Sequence, residues 1–99
     1  MRLWTWRGAW FGYREGWVLW ASDGRQVGQF VDGLVYGPSG RYLGEVRAGR
    51  LVTHRASAGR RGPSFTAPAP RVATRRHVDL VAFPLPPGDD DFPAVAALP

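Results

Sequence analysis

The chain has 99 residues, 13 arginines, no lysine, no cysteine and a formal net charge of +5. This length predicts one small domain, and the lack of cysteine excludes disulfides, cysteine zinc sites and thiol nucleophiles. No stretch approaches about 18 consecutive apolar residues, and the segment 1–12 lacks the apolar run of a secretory signal, so we expect a cytoplasmic protein.

The first half of the chain carries three sets of regularly spaced glycines. The first set is Gly8, Gly24 and Gly40, the second is Gly12, Gly28 and Gly44, and the third, spaced less regularly, is Gly16, Gly33 and Gly49. The period within each set is short and allows one hairpin per repeat. It predicts four hairpin repeats, at residues 1–16, 17–33, 34–49 and 50–66, which together make a barrel domain.

Each repeat is predicted to contain two strands and two turns. The first and third glycine sets mark the turns, where glycine supplies a positive φ. In the returning strands, apolar residues lie three apart, as with Val27 and Phe30, and strict alternation would place them on opposite faces. We therefore expect a β-bulge at the second glycine set, which would return such pairs to one face.

The pattern as a whole predicts an all-β fold, a small closed or nearly closed antiparallel meander barrel, because closure removes unpaired sheet edges. The fourth repeat is irregular, since Gly62-Pro63 interrupts it. Its second strand is expected to be missing or replaced by a later segment. Residues 67–99 are predicted to form a Pro- and Arg-rich C-terminal arm with an acidic tail, and residues 77–83 are a candidate added strand.

Two stretches resemble the four-fold β-flower domain family. They are DGRQVGQFVDGLVY at residues 23–36 and SGRYLGEVR at residues 39–47. The resemblance implies a pseudo-symmetric barrel of four hairpins in one chain, with no established activity. The second stretch is also similar to the PRC-barrel. Related flower-like barrels resemble Tubby-type barrels, which implies a membrane-associated role.

An apolar ring is predicted on the outside of the barrel. Trp4, Trp20 and Tyr36 each follow an aliphatic residue, and neighbours in a strand point to opposite faces, so only one residue of each pair can face the interior. A surface of this kind is seldom left bare. The arm, a second copy of the chain in a homo-oligomer, or a lipid surface would cover it.

A rim of arginines is the second candidate site. Arg7, Arg25, Arg41 and Arg60 stand beside the first turns, which lie at one end of a closed meander. Such a rim could bind phosphate of an anionic membrane surface or of a nucleic acid. The alternative is ordinary solvated arginine. Nucleic acid is the less favoured partner, because most aromatics precede residue 43 whereas the excess positive charge follows residue 46.

The sequence offers no set of residues suited to catalysis. Its histidines are His54 and His77, and only Asp79 stands close to one of them, without a third ligand, a nucleophile or a phosphate loop. We therefore expect no enzyme activity, no metal and no cofactor. The prediction is a binding or assembly module that uses the apolar ring for self-association or docking. Binding of an anionic surface through the arginine rim is the alternative.

Overall fold

The computed structural model describes residues 1–98, which form eight strands and two short 3-10 helices. The strands are β1 (Arg2–Thr5), β2 (Trp10–Glu15), β3 (Val18–Ala21), β4 (Gln26–Val31), β5 (Leu34–Tyr36), β6 (Tyr42–Arg47), β7 (Arg50–His54) and β8 (Asp89–Asp91). The helices are Arg55–Ser57 and Val95–Ala97. The predicted all-β fold is confirmed.

Seven strands close into a barrel. Each strand from β1 to β7 pairs antiparallel with the next, and β1 also pairs parallel with the start of β7, where Trp4 faces Arg50. β8 pairs with the rest of that edge of β7, outside the barrel. The prediction of a closed barrel is confirmed, but the closing pair is parallel. After β7 the chain turns into the helix Arg55–Ser57, so no returning strand separates β7 from β1.

Three hairpins share one register. Leu3 faces Gly12, Leu19 faces Gly28 and Val35 faces Gly44, and one position later the register shifts in all three. The extra residue at each shift is Phe11, Val27 or Leu43, and all three belong to the core. A glycine follows each of these three residues. At Gly28 a side chain would not fit, because a Cβ would come within 2.8 Å of the Val35 side chain.

Two of the turns that separate consecutive hairpins are two-residue turns in which both residues have positive φ. In the β4–β5 turn, Asp32 has φ 51° and Gly33 has φ 78°, and in the β6–β7 turn, Ala48 and Gly49 adopt 50° and 74°. This is the pattern of a type I′ turn, whose twist matches that of paired strands. The glycine at the second position removes the Cβ clash of the left-handed region.

The core fills the barrel with side chains from every strand from β1 to β7, and residues beyond β8 complete it. Its buried members include Leu3, Leu19, Val35 and Leu51 from the first strands of the hairpins, together with the three bulge residues, Phe30, Phe92 and Leu98. The ring of Phe92 meets that of Phe11 edge to face, with centroids 5.2 Å apart. A segment far along the chain therefore completes the packing of the barrel.

Residues 61–88, here called the strap, run around the outside of the barrel without forming strands or helices. The candidate strand at 77–83 is therefore wrong. The strap touches the three first-turn glycines at nine-residue intervals: the N–H groups of Gly62, Arg71 and Leu80 donate to the carbonyls of Gly40, Gly24 and Gly8 at 2.8–2.9 Å. Three residues further along each time, Phe65, Thr74 and Phe83 donate to Pro38, Ser22 and Trp6. Because these contacts are so widely spaced, the strap does not form the continuous hydrogen-bond ladder of a β-strand.

The strap covers the predicted apolar ring. Gly62 packs against the ring of Tyr36, the Arg71 guanidinium lies 3.8 Å from the centroid of the Trp20 ring, and the indole of Trp4 donates to the Val78 carbonyl at 3.0 Å. Trp20 and Tyr36 are consequently 5% and 6% exposed. Trp4 is half-buried. The strap therefore covers the rings of Trp20 and Tyr36.

Beyond β8, residues 92–98, here called the plug, pack against the barrel end that carries the first turns. Phe92 and Leu98 are core members. Arg25, just after the turn glycine of the β3–β4 hairpin, donates through Nη1 to the Leu98 carbonyl at 2.9 Å and through Nη2 to the Val95 carbonyl at 2.8 Å. The plug is thus fixed to the rim by one charged side chain.

Candidate functional site: an arginine pair beside a cleft

The structure separates the four arginines predicted to form an anion-binding rim. Arg25 binds Asp23 and the plug, so its guanidinium is not available to an anion, and its assignment to an anion site is wrong. Arg7 is exposed and lies on the β1–β2 turn, where its backbone N–H donates to Asp91. Arg41 and Arg60 are both exposed, and Arg60 is the residue before the strap residue that pairs with Arg41.

That residue is Arg61, which sequence reasoning missed. Arg41 and Arg61 are antiparallel bridge partners, so their side chains leave the same face of the short ladder, and both are exposed. Like charges directly opposite each other destabilise a sheet pairing. Within residues 1–98, neither guanidinium is in a salt bridge. We call these two residues the arginine pair. A bound anion would remove its repulsion.

A cleft of about 330 Å³ opens beside the arginine pair, between the β5–β6 turn and the plug. Its apolar surface includes Val27, Leu43 and Leu98, which are buried core residues. Ser39 and Arg41 provide polar groups at its edge. The volume lies at the small end of the range for ligand pockets, which are usually apolar with a few polar groups that fix orientation.

Two other polar side chains of the cleft are already used. The Thr53 hydroxyl donates to the Leu43 carbonyl at 2.6 Å, and the Tyr42 hydroxyl accepts from the backbone N–H of His54 at 3.0 Å. In the described part of the chain, the side chains of Ser39 and Arg41 have no hydrogen-bond partner. Within residues 1–98, the donors of the cleft that have no acceptor are therefore those of Ser39 and Arg41, together with the O–H of Tyr42.

Around β8, Asp89 and Asp90 are matched by basic side chains. Asp89 is buried and accepts from Arg47, while the His54 ring lies 2.8 Å from it through Nδ1. The Arg47 guanidinium, and after it the His54 ring, hold the pKa of the Asp89 carboxyl below its usual 3.8. Asp90 pairs with Arg55 at 2.7 Å. Asp89 and Asp90 therefore fix β8 to β7, and within residues 1–98 neither of them is in a salt bridge with the arginine pair.

His77 and Asp79, the sequence's His-x-Asp motif, stabilise the strap. The His77 ring packs edge to face on Trp10 with centroids 4.6 Å apart, and Asp79 accepts the backbone N–H of Trp10 at 2.9 Å. Both groups thus have structural partners. Among the residues described, no cluster of three or more histidine, cysteine or acidic side chains could hold a metal ion.

Exposed apolar surface is found on the strap itself. Val72, Val78 and Val81 are 91%, 86% and 82% exposed, and Leu80 and Phe83 are 41% and 38% exposed. Four of these five lie within residues 78–83, beside the β1–β2 turn. Trp17 and Met1 are 70% and 63% exposed outside the strap, so most but not all of the uncovered apolar side chains lie on the segment that covers the predicted ring.

The sequence does contain a signal for the strap. Val72-Ala73 and Val81-Ala82 are nine residues apart, which is the spacing of the contacts with the turn glycines. The nine-residue spacing could also have indicated Arg61, because Arg61 directly precedes Gly62, the first strap residue that contacts a turn glycine. Nothing in the local sequence indicates that Arg25 binds the plug, because its partners Val95 and Leu98 come from the far end of the chain.

The comparisons with known proteins add no relative. No family model, no curated protein and no solved structure matches the chain. No helix within residues 1–98 is long and apolar enough to cross a membrane.

Proposed function

We propose that this chain is a non-catalytic binding module that takes an anionic ligand at the arginine pair. One observation carries the proposal: Arg41 and Arg61 face each other as exposed bridge partners with no acidic side chain bound to either. Arg60, the residue before Arg61, is also exposed. Arginine suits phosphate and carboxylate because its planar guanidinium donates two parallel hydrogen bonds.

The test uses two anions that present the same chemistry from different sources. Vesicles of phosphatidylcholine with and without phosphatidylserine are sedimented with the protein, and soluble tripolyphosphate is titrated in a calorimeter. Both are measured at about 0.02 M and about 0.5 M salt, between which the screening length falls from roughly 20 Å to about 4 Å. Binding is expected at the lower salt and is expected to weaken steeply at the higher salt.

Variants assign that binding to a site. Arg41→Gln/Arg61→Gln is compared with Arg2→Gln/Arg75→Gln, which removes the same charge from two other exposed positions. At about 1 kcal/mol for each arginine near an anionic surface, the first double variant should lose about thirtyfold in affinity. The control should lose far less. Equal losses in the two double variants, or no binding of either anion, would contradict the proposal.

Assembly through apolar docking is the second candidate function. The ring of Trp4, Trp20 and Tyr36 is less suitable than the sequence suggested, because the strap covers it. The exposed side chains at 78–83 support docking instead. Sedimentation equilibrium would test it: a homo-oligomer that survives about 0.5 M salt and dissociates in Val78→Ser/Val81→Ser is the expected result. A monomer at all concentrations would exclude self-association.

We also infer that the barrel is an interrupted four-hairpin flower, as the β-flower resemblance implies. The register of β8 supports this. The pair Val52–Asp91 corresponds to the pair Tyr36–Tyr42 of the β5–β6 hairpin. Phe92, which follows Asp91, then aligns with the core residue Leu43, which follows Tyr42. Residues 55–88 would then be an insertion in the fourth hairpin. The PRC-barrel remains the second choice of family.

A further inference from the structure

We propose that the cleft is a binding site for a single-chain amphiphile, a small ligand with one anionic head and an apolar body. The inference rests on the proposed function, since it names the ligand of the same arginine pair. The head would lie at Arg41 and the body would lie against Val27, Leu43 and Leu98. A bare inorganic anion would leave the apolar part of the cleft unused.

Three features of the cleft select this chemistry. Its apolar surface is made by core side chains of the barrel and the plug, so it is a concave extension of the core. Its cation stands at one edge, where a head group can stay hydrated while the body is buried. The Thr53 hydroxyl donates to the Leu43 carbonyl and the Tyr42 hydroxyl accepts from the His54 N–H, so the barrel holds both groups in place.

The plug gives the cleft one wall that can be changed without touching the barrel. Ala97 lines the cleft and is exposed, and Ala96 is exposed but lies outside it. A phenylalanine at position 97 would occupy the space of the ligand body. The same substitution at position 96 adds the same apolar surface to the same helix and leaves the cleft open.

The experiment titrates octanoate, octanol and inorganic phosphate into the full-length, ¹⁵N-labelled protein and follows the backbone amide signals of the β5–β6 turn and the plug. Octanoate should shift these signals with saturation, while octanol and phosphate each bind much more weakly. Arg41→Gln should weaken octanoate by at least about tenfold, as expected for the loss of a charge-assisted hydrogen bond. Ala97→Phe should abolish the saturable shifts and Ala96→Phe should preserve them.

The outcomes separate this inference from the proposed function. If tripolyphosphate binds through Arg41 and Arg61 but octanoate leaves the cleft signals unshifted, the amphiphile site is refuted and the anion module stands. If octanol binds as tightly as octanoate, or Arg41→Gln leaves octanoate affinity unchanged, the arginine does not select the ligand and the inference is wrong. If Ala97→Phe does not fold, the loss in Arg41→Gln still decides.

Discussion

Replacing Gly24 by alanine tests how tightly the strap packs on the barrel. Gly24 has φ 93°, and a Cβ built on it would lie 1.9 Å from the carbonyl oxygen of Arg71. Because that oxygen belongs to the backbone, the strap must move away. The matched control is Gly33→Ala, where φ is 78° and nothing lies within 4 Å of the new methyl group.

The two variants share one cost and differ in another. An alanine at positive φ costs about 1–2 kcal/mol in either turn. At Gly24 the displaced strap also loses the hydrogen bond from the Arg71 N–H, worth about 1 kcal/mol, and the stacking of its guanidinium on Trp20, worth about 0.5–1 kcal/mol at an exposed site. Gly24→Ala should therefore lower the free energy of unfolding by about 2.5–4 kcal/mol and Gly33→Ala by about 1–2 kcal/mol.

Urea unfolding followed by tryptophan fluorescence gives both values, and acrylamide quenching of the folded state, compared with that of the parent, reports on the change in tryptophan exposure. Quenching should rise in Gly24→Ala and stay unchanged in Gly33→Ala, because only the first uncovers the Trp20 ring. Equal losses of stability with unchanged quenching would refute the reasoning. That result would mean that the strap rests on the turns without stabilising them.

Other expected results concern the segments beyond the barrel strands. Phe92→Ala removes a ring that is 3% exposed and should cost about 3–5 kcal/mol by the cavity it leaves, so a thermal midpoint equal to that of the parent would exclude Phe92 from the core. Asp89 has a lowered pKa, first through Arg47, so its contribution to stability is present above pH 3.8 and is lost as the pH falls through the lower folded value. Asp89→Asn should therefore be less stable than the parent at pH 6, the difference in stability should shrink as the pH falls below 3.8, and a difference that stays constant in acid would contradict this. Trypsin should cut first after the exposed Arg75 and spare the buried Arg50, with the fragments still co-eluting under native conditions; early cleavage at Arg50 would show that the barrel opens before the strap.

Much of the barrel could be predicted from sequence because it is built from local hairpins. The glycine period specifies turns, and the three-residue spacing of Val27 and Phe30 specifies a bulge, since both patterns act between residues close in the chain. The pairing of β7 with β8 could not be predicted, because the whole strap separates these two strands in the sequence. No pattern in the sequence near Val52 indicates that Asp91 pairs with it.

The candidate site was foreseen only in part for the same reason. Arg41 and Arg60 stand out as arginines beside turn glycines, but whether an arginine is free depends on what the chain brings to it. The plug takes up Arg25 with two carbonyls, and the strap places Arg61 against Arg41. The plug and the strap contain prolines and have no alternating strand pattern, so their positions against the barrel could not be predicted from the sequence.

The sequence by itself determined the hairpins, their turns and the alternation that puts Leu3, Leu19 and Val35 inside the barrel, because these follow from backbone geometry within a single repeat. Tertiary structure alone decided how the barrel closes, what covers Trp20 and Tyr36, and which arginines are left without partners. Those outcomes depend on where a long strap without strand periodicity lies. The strap is held to the turn glycines by hydrogen bonds from strap residues that are nine positions apart. These contacts require the turns to be already arranged around the barrel.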